Sequence, residues 1–308
     1  MTRRFQPTRA VVSVLRRAPL VIGAIAFTAV PCGSSPRDTA RAEDDATYEL
    51  RYAFSEGEIL RTKVTHMATT ETTIRGVTQE SKSRSHSTKI WKVLSIDDQG
   101  AYHIEHEVEN VDMWQKLSDR PEVTFNSGTD KKAPPEYELA ADSIGVPITR
   151  VTVDPYGEVK EREDLKASPN MGLGQITTPL PKGKVAVGHQ WEFPTEIAVQ
   201  MPDGRVRRIK TRQLYTLESV KTGVATISVR TQILTPVNDP KIEVQIVQQI
   251  TNGQIKFDID AGRVLSKQVD WDESVVGFNG SESRFKYLAR FTEEYVPRQP
   301  KVAGRPAP

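Results

Sequence analysis

Arg284-Phe285-Lys286-Tyr287-Leu288-Ala289-Arg290-Phe291-Thr292-Glu293-Glu294-Tyr295-Val296 decides how this chain is read. Phe285, Tyr287, Ala289, Phe291 and Tyr295 fall on one parity, with Arg284, Lys286, Arg290 and Glu294 on the other. Successive side chains of a strand point to opposite faces, so an apolar residue at every second position marks a strand with one buried side. Ala225, Ile227, Val229, Thr231 and Ile233 form another such row. Lys241 to Ile250 reads the same way, with Ile242, Val244, Ile246 and Ile250 opposite Lys241, Glu243, Gln245 and Gln249. Between the runs lie turn signals at Asp97-Asp98-Gln99-Gly100, Pro202-Asp203-Gly204, Lys221-Thr222-Gly223, Asn252-Gly253 and Asn279-Gly280. The chain is therefore expected to be mainly β, built from antiparallel, curved sheets.

The order of these signals occurs twice. Glu56-Gly57, a long hairpin turning near Arg75-Gly76, Lys89 to Leu94, Gly100 to Ile104 and Val151 to Val159 make up the first series. Val187-Gly188, a hairpin turning at Asp203-Gly204, Gln213 to Leu217, Gly223 to Ile227 and Ile255 to Val264 make up the second. This predicts two related half-barrel or clam-like halves, residues 43–166 and 184–296, joined by a linker over 167–183. The first half carries an insertion. Pro134 to Gly145 has Pro at its start, acids in its first turns and Gly at its end, which predicts a short helix able to plug a curved sheet. Residues 297–308 are basic and Pro-rich with no apolar pattern, and are expected to be disordered.

The N-terminal stretch has another character. Arg3, Arg4, Arg9, Arg16 and Arg17 precede an apolar run from Ala18 to Val30, and Ala40-Arg41-Ala42 offers a small-x-small cleavage site. That layout predicts a signal peptide over residues 1–42 and an exported protein, periplasmic or extracellular, with no transmembrane span after cleavage. Processing with lipid attachment at Cys32 is the alternative. Residues 1–42 hold seven arginines and one aspartate of the chain's 42 basic and 40 acidic side chains, so residues 43–308 carry a net charge of −4. A mildly acidic surface argues against nucleic acid as partner. Cys32 is the only cysteine, so residues 43–308 have no disulfide, no thiol nucleophile and no thiolate metal site.

Little in the chain carries chemistry. His103 and His106 are three residues apart in a stretch that reads as a strand, where they point to opposite sides, and Glu105, Glu107 and Glu109 are expected to form a solvated acidic stripe. Asp258 to Gly262 and Asp154 to Gly157 read as Asp-started turns with Gly at positive φ, and neither has the ligand series of a calcium loop. There is no Gly-x-Ser-x-Gly elbow, no His-Glu-x-x-His and no phosphate loop. No metal or cofactor is expected. Arg205, Arg207, Arg208, Lys210 and Arg212 form the densest basic run, which reads either as contact with an anionic surface or as a charged edge strand that blocks aggregation. Trp191, Trp271, Phe285, Tyr287 and Phe291 are candidates to line a ligand cavity, or are ordinary core.

Leu180-Pro181 followed by Val185-Ala186-Val187-Gly188-His189-Gln190-Trp191 resembles the Leu-Pro…Val-x-Val-Gly-Asp-x-Trp segment of an uncharacterised family of exported bacterial β-rich proteins, a domain of unknown function. Phe257-Asp258…Gly262-Arg263-Val264 is similar to that family's closing hairpin, and the pattern extends over residues 47 to 296. His189 stands where the pattern has Asp. The resemblance implies a β fold and an envelope setting, and no activity. The expected function is a non-catalytic binding or structural module of the envelope, with an anionic surface, lipid or envelope protein as partner. A periplasmic carrier of a lipid or other hydrophobic ligand is the alternative, and an uncharacterised hydrolase a further one.

Overall fold

The structure, a computed structural model, describes residues 46–166 and 177–297. The expected signal peptide, Cys32, residues 167–176 of the expected linker and residues 298–308 of the expected tail lie outside the described residues. Thr47–Glu49 (β1) pairs with Lys184–Ala186 (β8) in a small two-stranded sheet. The other strands of the N-terminal half are Ile59–Ile74 (β2), Val77–Ile96 (β3), Tyr102–Leu117 (β4), Val123–Asn126 (β5), Pro147–Val153 (β6) and Val159–Asp164 (β7). Those of the C-terminal half are Gln190–Gln200 (β9), Val206–Lys221 (β10), Val224–Ile233 (β11), Asn252–Asp258 (β12), Arg263–Val276 (β13) and Ser283–Val296 (β14).

These twelve strands form one antiparallel sheet in the order β7-β6-β4-β3-β2-β14-β13-β12-β11-β10-β9, with β5 on β4. The chain meanders except at one place, where the last strand pairs with β2 from Arg61 to Ile74 and seals the two halves together. The row that opened the sequence reading lies on this central strand, with Phe285, Tyr287 and Phe291 buried. The sheet is not closed, because β7 and β9 stay apart as its two edges. Every residue of β7, Val-Lys-Glu-Arg-Glu-Asp, is exposed, and a charged edge resists pairing with other chains. The middle strands reach 20 residues, about 66 Å at roughly 3.3 Å per residue.

At one end the curled sheet is filled. Leu50, Tyr52 and Phe54 run across it and pack with Val93, Ile104 and Val153 of one arm and Leu217, Ile227 and Phe257 of the other. Each such side chain contributes about 1.5–3 kcal/mol by leaving water. The backbone locks this segment to both arms: Tyr52 N donates to Pro155 O at 2.7 Å and Ala53 N to Gly262 O at 3.0 Å. The Tyr52 hydroxyl donates to Thr178 O at 3.2 Å and accepts from Thr178 N at 3.0 Å. Residues 177–181, read from sequence as the end of a linker, are buried here. The closed end of the sheet covers them.

Two helical insertions lie on the arms. Pro135–Tyr137 is a 3-10 turn leading into Glu138–Ala141 (α1), within the stretch expected to be helical. Tyr137 and Ala133 pack with Val108, Val111, Phe125 and Ile148. The second insertion corrects a reading. Lys241 to Ile250 is not a strand: Pro240–Ile246 is a helix (α2), and Val247–Gln249 a 3-10 turn. Ile242 and Ile246, four apart, pack with Ile197, Val199 and Ile209, while Val247 joins Val275, Phe285 and Tyr287. Asp239 caps the helix, its carboxylate accepting from Lys241 N at 2.9 Å, and Pro240 occupies the first turn. Asn252-Gly253, expected to be a turn, instead opens β12, where Gly253 pairs with Val269.

Candidate functional site

Between the arms, beyond the filled end, the concave face leaves a cleft of about 790 Å³. That volume falls in the range of small-ligand sites. Helix α2 and its following turn form one rim through Gln245, Gln248 and Gln249, and Tyr137 of the other insertion forms part of the opposite one. Strand alternation brings Ser81, Ser83 and Ser85 in from β3, Thr211 and Gln213 from β10, and Trp271, Val269 and Lys267 from β13. Tyr287 and Phe291 of β14 and His66 of β2 complete the floor. Amides and hydroxyls alternate with aromatic faces along the walls, Arg84, Trp114 and Glu196 line them too, and the aliphatic lining is confined to Met113, Ile197 and Val269. Trp271 lines it with the His66 ring edge-on at 6.4 Å and the Tyr287 ring at 6.2 Å. Burial pulls His66 below the usual imidazole range, which keeps the ring neutral at neutral pH.

A polar belt separates the cleft from the filled end. Lys89, 3 % exposed, is ion-paired with Glu293. Lys267 faces Glu293 across the β13–β14 ladder. Burial by itself raises the Glu293 carboxyl, but Lys89, Lys267 and the Thr62 hydroxyl together outweigh it and hold the group below the usual carboxylate range. Burial pushes the Lys267 ammonium down, against the pull of Glu293 and with repulsion from Lys89. His106, 5 % exposed, lies in the same belt; burial, then Lys89 and Arg162, lower its pKa from 6.5 to about 3. Trp91 Nε1, His106 Nε2 and Trp271 Nε1 are buried nitrogens without a hydrogen-bond partner among the described residues. A cavity of about 50 Å³ adjoins Trp91, Lys267 and Glu293. It has room for a water or two, which would serve such orphan groups, and none for a ligand.

The residues singled out from sequence are divided by the fold. Trp271, Tyr287 and Phe291 line the cleft. Phe285 instead packs beneath Val247 and Val275. Trp191 stacks on Tyr215 at 5.6 Å near the filled end and donates its Nε1–H to Pro179 O at 2.9 Å. The basic run forms no convergent site. Its strand, β10, is paired on both sides and is not an edge, which corrects the edge-strand reading. Arg205, Arg208 and Arg212 pair with Asp203, Glu196 and Glu192, while Arg207 and Lys210 have no ion pair among the described residues. The acidic stripe is also corrected: Glu105 and Glu107 are buried, and Glu105, Glu107 and Glu109 pair with Arg150, Lys92 and Arg61. Neighbouring strands supply those cations, which a single-strand reading does not contain.

The two Asp-started turns behave as turns. Asp154 Oδ1 accepts from Tyr156 N and Glu158 N, both at 2.9 Å, and Asp258 Oδ1 accepts from Ala261 N at 2.8 Å. Among the described residues no group of three or more His, Cys, Asp or Glu is placed to hold a metal ion, and no helix is long and apolar enough to cross a membrane. Sequence reasoning missed Lys267, Lys89, Glu293 and the glutamines of α2 and its following turn. Lys267 and Glu293 sit on the apolar parity of their strands, and that break in alternation was the available signal. Alternation places Gln245 and Gln249 on the outer face of an expected strand.

No curated protein matches the chain. A solved structure, of lipid–protein interactions in lipovitellin, is similar over 83 % of this chain and 27 % of that chain, with 12 % sequence identity and a TM-score of 0.47. The chain thus spans about a quarter of the length of that protein. Residues 166–264 match the model of a family of unknown function (DUF6263), and both segments that carried the family resemblance, Leu180 to Trp191 and Phe257 to Val264, fall within that match.

Proposed function

We propose that this protein is a non-catalytic ligand-binding module of the bacterial envelope, exported by its N-terminal signal, which receives its ligand in the cleft between the two arms. The cleft itself carries the reading: about 790 Å³ of open space lined by strands of both arms and rimmed by two helical insertions. Its lining suits binding better than catalysis. Among the described residues lining the cleft, no serine is hydrogen-bonded to a histidine or a carboxylate, the pairing that activates a hydroxyl nucleophile. The lining also distinguishes between ligand classes. A long alkyl chain needs aliphatic walls, whereas this cleft presents amides, hydroxyls and the aromatic faces of Trp271, Tyr287 and Phe291. A ligand that both stacks and hydrogen-bonds fits better than a lipid tail.

The test is the intact mass, under native conditions, of the protein purified from its own envelope. A reproducible mass above that of the chain, lost from a Gln248→Trp variant that fills the cleft, supports the reading. A bare chain mass in repeated preparations, or an added mass that Gln248→Trp leaves in place, counts against it. The nature of the released molecule separates the alternatives, since a lipid would favour the hydrophobic carrier.

A further inference from the structure

The cleft is asymmetric in charge along its floor. Lys267 stands where the open cleft meets the polar belt, lining both the cleft and the small cavity beyond it. It is half-buried, and among the described residues its ammonium has no hydrogen bond or ion pair at contact distance. The facing carboxylate of Glu293 is held by Lys89. Arg84 and Glu196 also line the cleft, and each is ion-paired, with Asp112 and Arg208 respectively; His66 and His106 are kept neutral at neutral pH by burial. Lys89 and Lys267 therefore face one carboxylate, which Lys89 holds at contact distance; burial pushes the Lys267 ammonium down, and an anion brought to the inner end of the cleft would favour its charged form. A buried charge without a partner is costly, and an anion brought in from solution offsets that cost.

The surroundings of Lys267 restrict what the anion is attached to. Val269 and Trp271 follow it on the same face of β13, so the indole lies about 13 Å along the strand from the lysine backbone. Gln213, Gln249 and Thr251 face the same space. A cation, an aromatic face and a ring of neutral amides and hydroxyls together recognise a sugar that bears an acidic group. The apolar C–H face of the sugar stacks on the indole, its hydroxyls meet the amides, and its acid meets the ammonium.

We propose that the ligand of this cleft is an acidic saccharide, its carboxylate seated on Lys267 and a sugar ring on Trp271. This rests on the cleft being the binding site, and it adds the ligand's charge and class. The probes are a glucuronate-containing disaccharide, the neutral disaccharide cellobiose, and laurate, titrated into the purified full chain by calorimetry and by intrinsic tryptophan fluorescence, to which Trp114 and Trp271 of the cleft both contribute. The acidic disaccharide is expected to bind about tenfold or more tightly than cellobiose, and its affinity is expected to fall with added salt. Lys267→Gln is expected to remove that difference, whereas Gln248→Trp, at an exposed position on the rim, weakens both sugars.

Equal affinity for the two sugars, unaltered by Lys267→Gln, overturns the charge assignment and leaves the cleft reading standing. Binding of laurate alone, lost in Gln248→Trp, overturns the saccharide class and again leaves the cleft in place. Sugar binding that Gln248→Trp does not weaken overturns both readings. Far-ultraviolet dichroism of each variant, matching the parent, ties these outcomes to the site and not to lost folding.

Discussion

Lys267 on β13 stands directly across the ladder from Glu293 on β14, and the carboxylate of Glu293 is held by Lys89 from β3. This one acid therefore holds Lys89 in contact and attracts Lys267 across the ladder. Glu293→Gln leaves both without a counter-charge and is expected to cost about 3–5 kcal/mol. The double variant Glu293→Gln/Lys89→Met is expected to recover more than half of that loss. Urea unfolding of the parent and both variants checks this, and an unchanged midpoint for Glu293→Gln would contradict it.

His106 ties stability to pH. In the folded protein its pKa is about 3, against 6.5 for the free group. Between those values the unfolded chain binds the proton and the folded one does not, so stability is lost as pH falls from 6.5 toward 3. The slope approaches about 1.4 kcal/mol per pH unit below pH 6. His66 is also held down by burial and acts in the same direction, so the difference between the parent and His106→Met isolates His106. That difference is expected to shrink from pH 7 to pH 5 as the parent loses stability and the variant loses less. Thermal unfolding across that range, read for both proteins, is the check. Parallel curves would show that His106 does not carry the effect.

The closed end depends on two glycines. Gly157 has φ +80°, and a Cβ there would press into the Tyr52 ring and the Thr178 carbonyl; Gly262 has φ +60°, and a Cβ there would meet the Ala53 backbone. Alanine at either site is expected to cost about 1–3 kcal/mol from backbone strain, with the steric clash in addition. At Gly188, also at positive φ but with open space around it, alanine meets the strain alone and should cost less. Ranking the three variants by denaturation midpoint checks the role of the close approach.

Helix α2 holds the glutamine rim. Ile246→Ala opens a void against Ile197, Val199 and Ile209 and is expected to cost about 2–5 kcal/mol, while Asp239→Ala, which removes the cap, should cost about 1 kcal/mol. Hydrogen exchange of residues 240–249 is expected to accelerate in both variants ahead of the sheet amides. Uniform acceleration across the whole chain would show that the helix is not a separable rim.

Strands were legible wherever one face is buried and the other is wet, as in β11 and β14, because alternation is then enforced residue by residue. The tight turns at Arg75-Gly76 and Asp203-Gly204 were legible for a similar local reason, since Gly76 and Gly204 both take positive φ. Lys241 to Ile250 misled because Ile242, Val244 and Ile246 satisfy a two-residue period, while Ile242 and Ile246 also satisfy a helical one. Asp239-Pro240, a capping carboxylate followed by a first-turn proline, is the local signal that favours the helix. The cleft was only partly legible. Trp271, Tyr287 and Phe291 stand on the inward parity, but so does Phe285, which tertiary packing places under α2. Which strands face each other across open space is set by the curl of a twelve-stranded sheet, and no local pattern encodes it.

The most direct test of the account is a crystal structure of the full chain with the glucuronate-containing disaccharide. The account predicts density in the cleft between α2 and the β13–β14 floor, with a carboxylate within hydrogen-bonding distance of Lys267 Nζ and a ring stacked on Trp271. A sugar bound at another face, with only water in the cleft, would contradict it.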